Sequence, residues 1–331
     1  MRQSILNLLG ACLILLMQPA HAADRIVLIV SGIEKQIYLP ARLAEQQGYF
    51  REQGLDVELV SEVSGIDAED MLLAGAAQGV VGAYDHTIVL QARGKAVQSV
   101  VQFSIAPGEV ELVSTARAQD IQSPADFKGR RLGVTGLGSS TSFLTQYLAM
   151  RHDVKAGALT LVPVGSGAHF MAAMKQGRID AGMTTEPTAS RLLAAGDARL
   201  LVDLRTPEAT RKALGGLYPF ACLYMQTAWI NSHRAEAQKL ANAFVKALRY
   251  ISTHSAAELA ALLPVSDMAG DKALYIQSLA NSKSMFTPDG VMPTSGPETV
   301  LNILLQSNRD VRGKKIDLPR TYTTEFVNAV N

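Results

Sequence analysis

The sequence predicts an α/β protein of two lobes joined by two extended crossings. Three observations carry that expectation. Short apolar or small-residue runs alternate with helical patterns over residues 25–203, the order of a parallel sheet with helices on its faces. The alternation restarts between extended stretches near residues 113 and 218, which marks a hinge and a cleft between lobes. And 331 residues exceed what one core usually holds.

The N-terminus carries Arg2, an apolar run over residues 5–17 and then Gln18-Pro19-Ala20-His21-Ala22. A charged start, a short apolar core and an A-x-A end read as a secretory signal, residues 1–22, cleaved after Ala22. The run is too short for a comfortable membrane span. Cys12 sits inside it rather than after it, which disfavours a lipid anchor. Removing the segment takes away one Arg and one Cys and leaves 30 basic and 30 acidic residues. That balance argues against a nucleic-acid partner, which needs a basic face. With Cys222 alone remaining, neither an internal disulfide nor a cysteine zinc cluster can form, and Cys222 reads as a small buried hydrophobe.

Residues 26–30 form a continuous Ile-Val-Leu-Ile-Val run, a strand buried on both faces. A helix over 38–50, a strand over 55–60 and a short helix over 66–73 follow, with Gly54 and Gly65 in the turns. Residues 79–83 form a small-residue strand, then Tyr84-Asp85-His86-Thr87 opens a helix from Ile88, and 96–103 is a further strand. In the second lobe, Ser123-Pro124 starts a capped helix, residues 131–134 a strand, and further strands fall at 159–163, 179–183 and 200–203, with helices after each loop. Helical patterns dominate beyond the return segment 218–225, the longest over 234–250. The first lobe is thus residues 23–112 with 219–331, and the second 113–218.

Loops at the C-terminal ends of such strands hold ligands. The most suggestive is Val134-Thr135-Gly136-Leu137-Gly138-Ser139-Ser140-Thr141-Ser142-Phe143. Gly136 and Gly138 allow close approach of a ligand to the backbone. Ser139, Ser140 and Thr141 offer hydroxyls and the unpaired amides of a helix N-terminus, an anion site. A capped helix with no ligand is the competing reading. Ser31, Gly32 and Gln36 follow the first strand, and Ser64 and Gly65 the second; plain turn chemistry competes there. Tyr84, Asp85, His86 and Thr87 form the most distinctive polar group, in which Asp85 either caps the helix or orients His86 and Tyr84 stacks on a planar ligand. A bound anion would hold His86 charged. Ser166 and Gly167 open another helix, and Phe103, Tyr218 and Phe220 lie near the crossings, placed to stack on an aromatic ligand or to pack in the core. No H-E-x-x-H, P-loop lysine or Cys-His pair occurs, Ser139 lies in no G-x-S-x-G elbow, and Thr141 stands where a dinucleotide fingerprint needs a third glycine.

Four stretches, in order, resemble the periplasmic substrate-binding proteins of nitrate, sulfonate and taurine ABC importers, which share an NMT1/THI5-like domain. They are Tyr38-Leu39-Pro40-Ala41 with Gly48-Tyr49-Phe50 and Gly54-Leu55-Asp56-Val57; the run from Asp126 to Val134; Gly136-Leu137-Gly138-Ser139-Ser140-Thr141; and Gly177-Arg178-Ile179-Asp180-Ala181 with Glu186-Pro187. The resemblance implies a type II periplasmic-binding fold, a periplasmic location and no catalysis, cofactor or metal. It also implies a monomer that closes on a small anionic ligand and passes it to an inner-membrane permease with its ATPase. It places Glu186 as a cleft-facing carboxylate, which either reads a second ligand group or pairs with a protein cation. Two other readings stay open. In one, Asp85 and Glu186 recognise amino groups of a thiamine-pyrimidine precursor. In the other the chain is a pyrimidine synthase, although such enzymes carry a cysteine-rich motif and here only Cys222 follows the signal.

Overall fold

The computed structural model describes residues 25–268 and 270–330, so the expected signal segment lies outside the described residues. Its strands run, in chain order, β1 (Ile26–Val30), β2 (Val57–Ser61), β3 (Gly79–Ala83), β4 (Val97–Gln102), β5 (Glu109–Ser114), β6 (Arg131–Val134), β7 (Thr160–Pro163), β8 (Ala181–Thr185), β9 (Ala198–Leu204) and β10 (Ala221–Gln226). They form two five-stranded sheets, ordered β2-β1-β3-β10-β4 and β7-β6-β8-β5-β9.

The two sheets are built alike. β1 runs parallel between β2 and β3, as β6 does between β7 and β8. Each sheet is then entered by one antiparallel strand arriving from the other lobe's side of the chain. β10 lies between β3 and β4, and β5 between β8 and β9. The strand expected to leave the first lobe is therefore a strand of the second sheet over its whole length. The expected boundary at 112/113 falls inside β5, and the crossings occupy residues 103–108 and 215–220.

Local chemistry explains the other departures. The helix expected over 38–50 is two, Leu39–Gln46 and Tyr49–Glu52, because Gly48 turns the chain at φ 71°. Thr184 and Thr185 complete β8 rather than open a helix, which starts at Thr188 after Pro187. The helix Asp85–Ala92 begins at Asp85 itself, so Asp85 does not cap it.

One apolar core runs through the first lobe and continues into Phe143, Leu144, Tyr147 and Leu148 of helix Ser140–Met150 and into Met183, Leu204 and Leu214. Two smaller clusters lie within the second lobe. Apolar burial of about 25 cal/mol per Å² therefore acts across the seam as well as within each lobe. Cys222 is free and fully buried in β10.

Candidate functional site

The strand ends of both sheets meet around a small cavity whose walls include Lys35, Tyr38, His86, Glu109, Ser139 and Phe220. It leaves about 20 Å³ for a water-sized sphere, room for roughly one water. The lobes are drawn together around it. Gln36 N donates to the Glu186 carbonyl at 3.0 Å, and Ser166 Oγ to Glu34 Oε1 at 2.9 Å.

Lys35 comes from the loop after β1. Gly32 holds φ 101°, and a Cβ there would lie 2.6 Å from Lys35 Cε, so glycine lets the side chain fold back over the turn. Its Nζ donates to the Ser31 carbonyl at 2.6 Å. Burial lowers the Lys35 pKa, against the opposing pull of Glu34 and Glu109.

His86 stands in the first turn of helix Asp85–Ala92 with its Nδ1 2.8 Å from Glu69 Oε2, both side chains buried. Glu69 in turn accepts Arg93 Nη1 at 3.0 Å. The carboxylate fixes a proton on Nδ1, and Nε2 has no hydrogen-bond partner, with Asp85 Oδ1 3.9 Å away. Gly65 gives that nitrogen its opening, since a Cβ there would come within 2.9 Å of it. Burial opposes charge on the ring. The Glu69 hydrogen bond and carboxylate, with Asp85, outweigh burial and Arg93 and raise the His86 pKa above its ordinary value.

From the second lobe, Ser139 occupies the N-cap of helix Ser140–Met150, and its buried Oγ also lacks a partner. The first amides of that helix have no intrahelical acceptor and carry the positive end of its dipole. Ser140 and Thr141 are more committed. Ser140 Oγ donates to Asp85 Oδ1 at 2.8 Å, and Thr141 Oγ1 accepts from Thr135 N at 3.0 Å. Tyr218 OH donates to Asp85 Oδ2 at 2.9 Å, so Asp85 latches the turn to the first lobe. Gly136 lies close under it, where a Cβ would meet Ser64 Oγ and Ser139 Oγ at 3.1 Å; Gly138 turns the chain at φ 92°.

Several nominated residues do other work. Tyr84 OH hydrogen-bonds Thr321 Oγ1 at 2.6 Å and its ring is fully buried, so no ligand stacks on it. Phe103 packs against Phe244 in the core, centroids 4.9 Å apart. Thr87 Oγ1 donates back to the Tyr84 carbonyl. The Gln36 amide turns to Tyr275 O and Ser278 Oγ on helix Lys272–Ser282. Ser64 caps helix Gly65–Leu73 through Asp67. Ser31 contributes its carbonyl to Lys35. Glu186 pairs with Arg205 at 2.8 Å and accepts the Ser190 amide at 2.9 Å, which is the protein-cation alternative.

Sequence reasoning misses Lys35, Glu69, Glu109 and Glu111. The last two alternate with Val110 and Leu112 along β5, the pattern of a solvent face. Here that face is buried: Glu111 accepts from Thr145 Oγ1 at 2.8 Å under helix Ser140–Met150. Burial pushes the Glu111 carboxyl up to about 8. Its unfolded value is 4.5, so between about pH 4.5 and 8 the native state keeps a proton that the unfolded chain releases. Stability therefore falls as pH rises through that window; the raised His86 pKa acts in the same direction above about 6.5. Glu111→Gln should reduce the stability lost between pH 5 and pH 8 by more than about 1 kcal/mol in urea melts. An unchanged pH slope would show that Glu111 is ionised when folded.

The NMT1/THI5-like family model matches residues 38–257. The chain belongs to the NMT1/THI5-like family. A solved protein of Bordetella bronchiseptica RB50 is 34% identical, with a TM-score of 0.88 over 92% of this chain and 96% of that one. The alkanesulfonate-binding protein SsuA of Xanthomonas axonopodis pv. citri, solved with MOPS bound, is 18% identical with a TM-score of 0.71 over 92% of this chain and 100% of its own. That likeness shows a shared fold, the periplasmic-binding-protein fold. Among curated NMT1/THI5-like relatives, the 4-amino-5-hydroxymethyl-2-methylpyrimidine phosphate synthase THI13 of Saccharomyces cerevisiae is 27% identical over 169 residues, 50% of this chain. The match spans about half, 47%, of that relative's length.

Proposed function

We propose that the chain is the solute-binding component of an ABC importer, acting outside the cytoplasmic membrane on a small organic anion, a sulfonate or carboxylate. The observation that carries this reading is a cavity at the lobe seam faced by two buried atoms without hydrogen bonds, Ser139 Oγ and His86 Nε2, which donates when the ring is protonated. Buried polar groups are normally hydrogen-bonded, so these two are poised for an acceptor the protein does not supply. Lys35 and the helix N-terminus beside them favour negative charge. The cavity holds about one water, so solute enters an open form and the lobes then shut around it less tightly than they do here. Closure brings the Asp85–Ser140 bond across the seam, and the closed outline is what a membrane permease would recognise. No chemistry is required of the site.

The curated relatives favour a second reading, a binding site for a thiamine-pyrimidine precursor. Asp85 and Glu186 are already paired within the protein, so Glu109 would have to read the amino group. Thermal melts with ethanesulfonate, taurine, benzoate and an aminopyrimidine separate the two. Ligand at 100 times its Kd adds about 2.7 kcal/mol of stability, a rise of several degrees. Stabilisation by the acids alone is expected. Stabilisation by the aminopyrimidine alone would replace this reading with the second.

A further inference from the structure

Glu109 is the polar group of the cavity that an anion does not explain. It is the first residue of β5, where the first crossing enters the second sheet, and its side chain is 2% exposed. Of the neighbouring buried acids, Asp85 is held through both oxygens by Ser140 and Tyr218, and Glu111, which lines no part of the cavity, has Oε2 on Thr145 and Oε1 unpartnered. Glu109 Oε2 has no hydrogen-bond partner. A buried carboxyl left so costs on the order of 1–3 kcal/mol, more if charged. The cavity it faces is the one faced by His86 and Lys35.

Resting on the anion reading above, we propose that Glu109 binds a second, uncharged polar group of the ligand, so that the solute is a small hydroxylated acid. The acid head goes to His86, Lys35 and Ser139, and Glu109 pairs with the hydroxyl. A ligand ammonium is disfavoured because two protein cations already line the same cavity. Burial first, and then the charge of Asp85, raise the Glu109 pKa well above its ordinary value, with Lys35 opposing and Glu111 adding. A neutral carboxyl donates through O–H and accepts through C=O, which is what a hydroxyl needs. A site built to bond a hydroxyl discriminates strongly against the analogue lacking it, because its own polar group is then left unpaired.

Titration calorimetry with matched pairs tests this: glycolate against acetate, isethionate against ethanesulfonate, 4-hydroxybenzoate against benzoate. In the unsubstituted protein the hydroxylated member of at least one pair should bind at least tenfold more tightly. Glu109→Ala should bring that pair within about twofold while the parent acid still binds. Glu109→Gln, isosteric and able to donate and accept, should keep some of the preference and guards against a folding defect in the alanine variant. Binding of parent acids with no preference in any pair, or a preference that survives Glu109→Ala, overturns the inference and leaves the anion reading standing. No binding by any acid overturns both.

Discussion

Replacing His86 with alanine should weaken sulfonate or carboxylate binding at least 100-fold and remove the histidine's own share of the pH dependence, leaving that of Lys35 and Glu109, which line the same cavity. A hydrogen bond from a charged donor contributes about 1.5–3 kcal/mol, or roughly 10- to 150-fold. The loss here is placed at the upper end because His86 is buried and its Nε2 makes no hydrogen bond within the protein. The sign of the pH effect follows from its surroundings. Glu69 and Asp85 raise the pKa against burial, so the imidazolium persists to a higher pH than in a free histidine. Anion affinity should be flat below that raised value and fall towards tenfold per pH unit above it. Calorimetry from pH 5.5 to 9 on both proteins reads this directly, with circular dichroism confirming that the variant is folded. Affinity unchanged in His86→Ala would remove His86 from the site.

The largest expected effect on stability lies in the second sheet, where β6 and β8 run parallel with Gly133 opposite Gly182. A Cβ on Gly182 would lie 2.6 Å from the Gly133 carbonyl oxygen and 2.9 Å from its Cα and N. Those are backbone atoms in the middle of a sheet and cannot swing aside as a side chain would. Overpacking a core usually costs about 1–3 kcal/mol through side-chain shifts. Gly182→Ala must instead force adjacent strands apart, and should cost about 3 kcal/mol or more, or leave no folded protein. Gly157→Ala is the control, since nothing lies within 4 Å of its Cβ, and it should stay within about 0.5 kcal/mol. Urea denaturation of the two variants side by side gives the comparison. Equal stability would mean that β6 and β8 are not packed at this pair.

What can be read from the sequence is what depends on neighbours along the chain. The Ile26–Val30 run, the Gly-Ser turn before helix Ser140–Met150 and the long helix Arg234–Thr253 each carry their own periodicity and stop signals. Helix Pro207–Leu214 carries such signals too, a Thr206 cap, a proline at its start and Gly215 at its end, although the sequence reading passes over it. The candidate site divides the same way. His86, Gly65 and the Ser139 turn are legible because glycine, histidine and hydroxyls cluster at strand ends. Lys35 and Glu109 are not. A lysine in a loop and an acid alternating with valines look solvated until a second lobe closes over them. Tyr84 and Phe103 mislead for the converse reason: both lie next to the site in sequence, while their rings turn into the core.

The exchange of one antiparallel strand between the two halves has a consequence for how the chain is made. β3 and β4 are translated before residue 103, yet neither has its inner neighbour until β10 arrives at residues 221–226. Until then β3 and β4 each keep an unpaired inner edge in addition to the sheet's outer edges, a template for mispairing. β5 likewise waits for β8 and β9, strands that follow it by some 67 residues or more. The second sheet, whose strands all fall within residues 109–204, can be finished while the chain is still emerging, whereas the first cannot be closed until β10 follows it. Contacts of such long sequence separation slow folding, and the half-built sheet needs protection from other chains until the second crossing is complete.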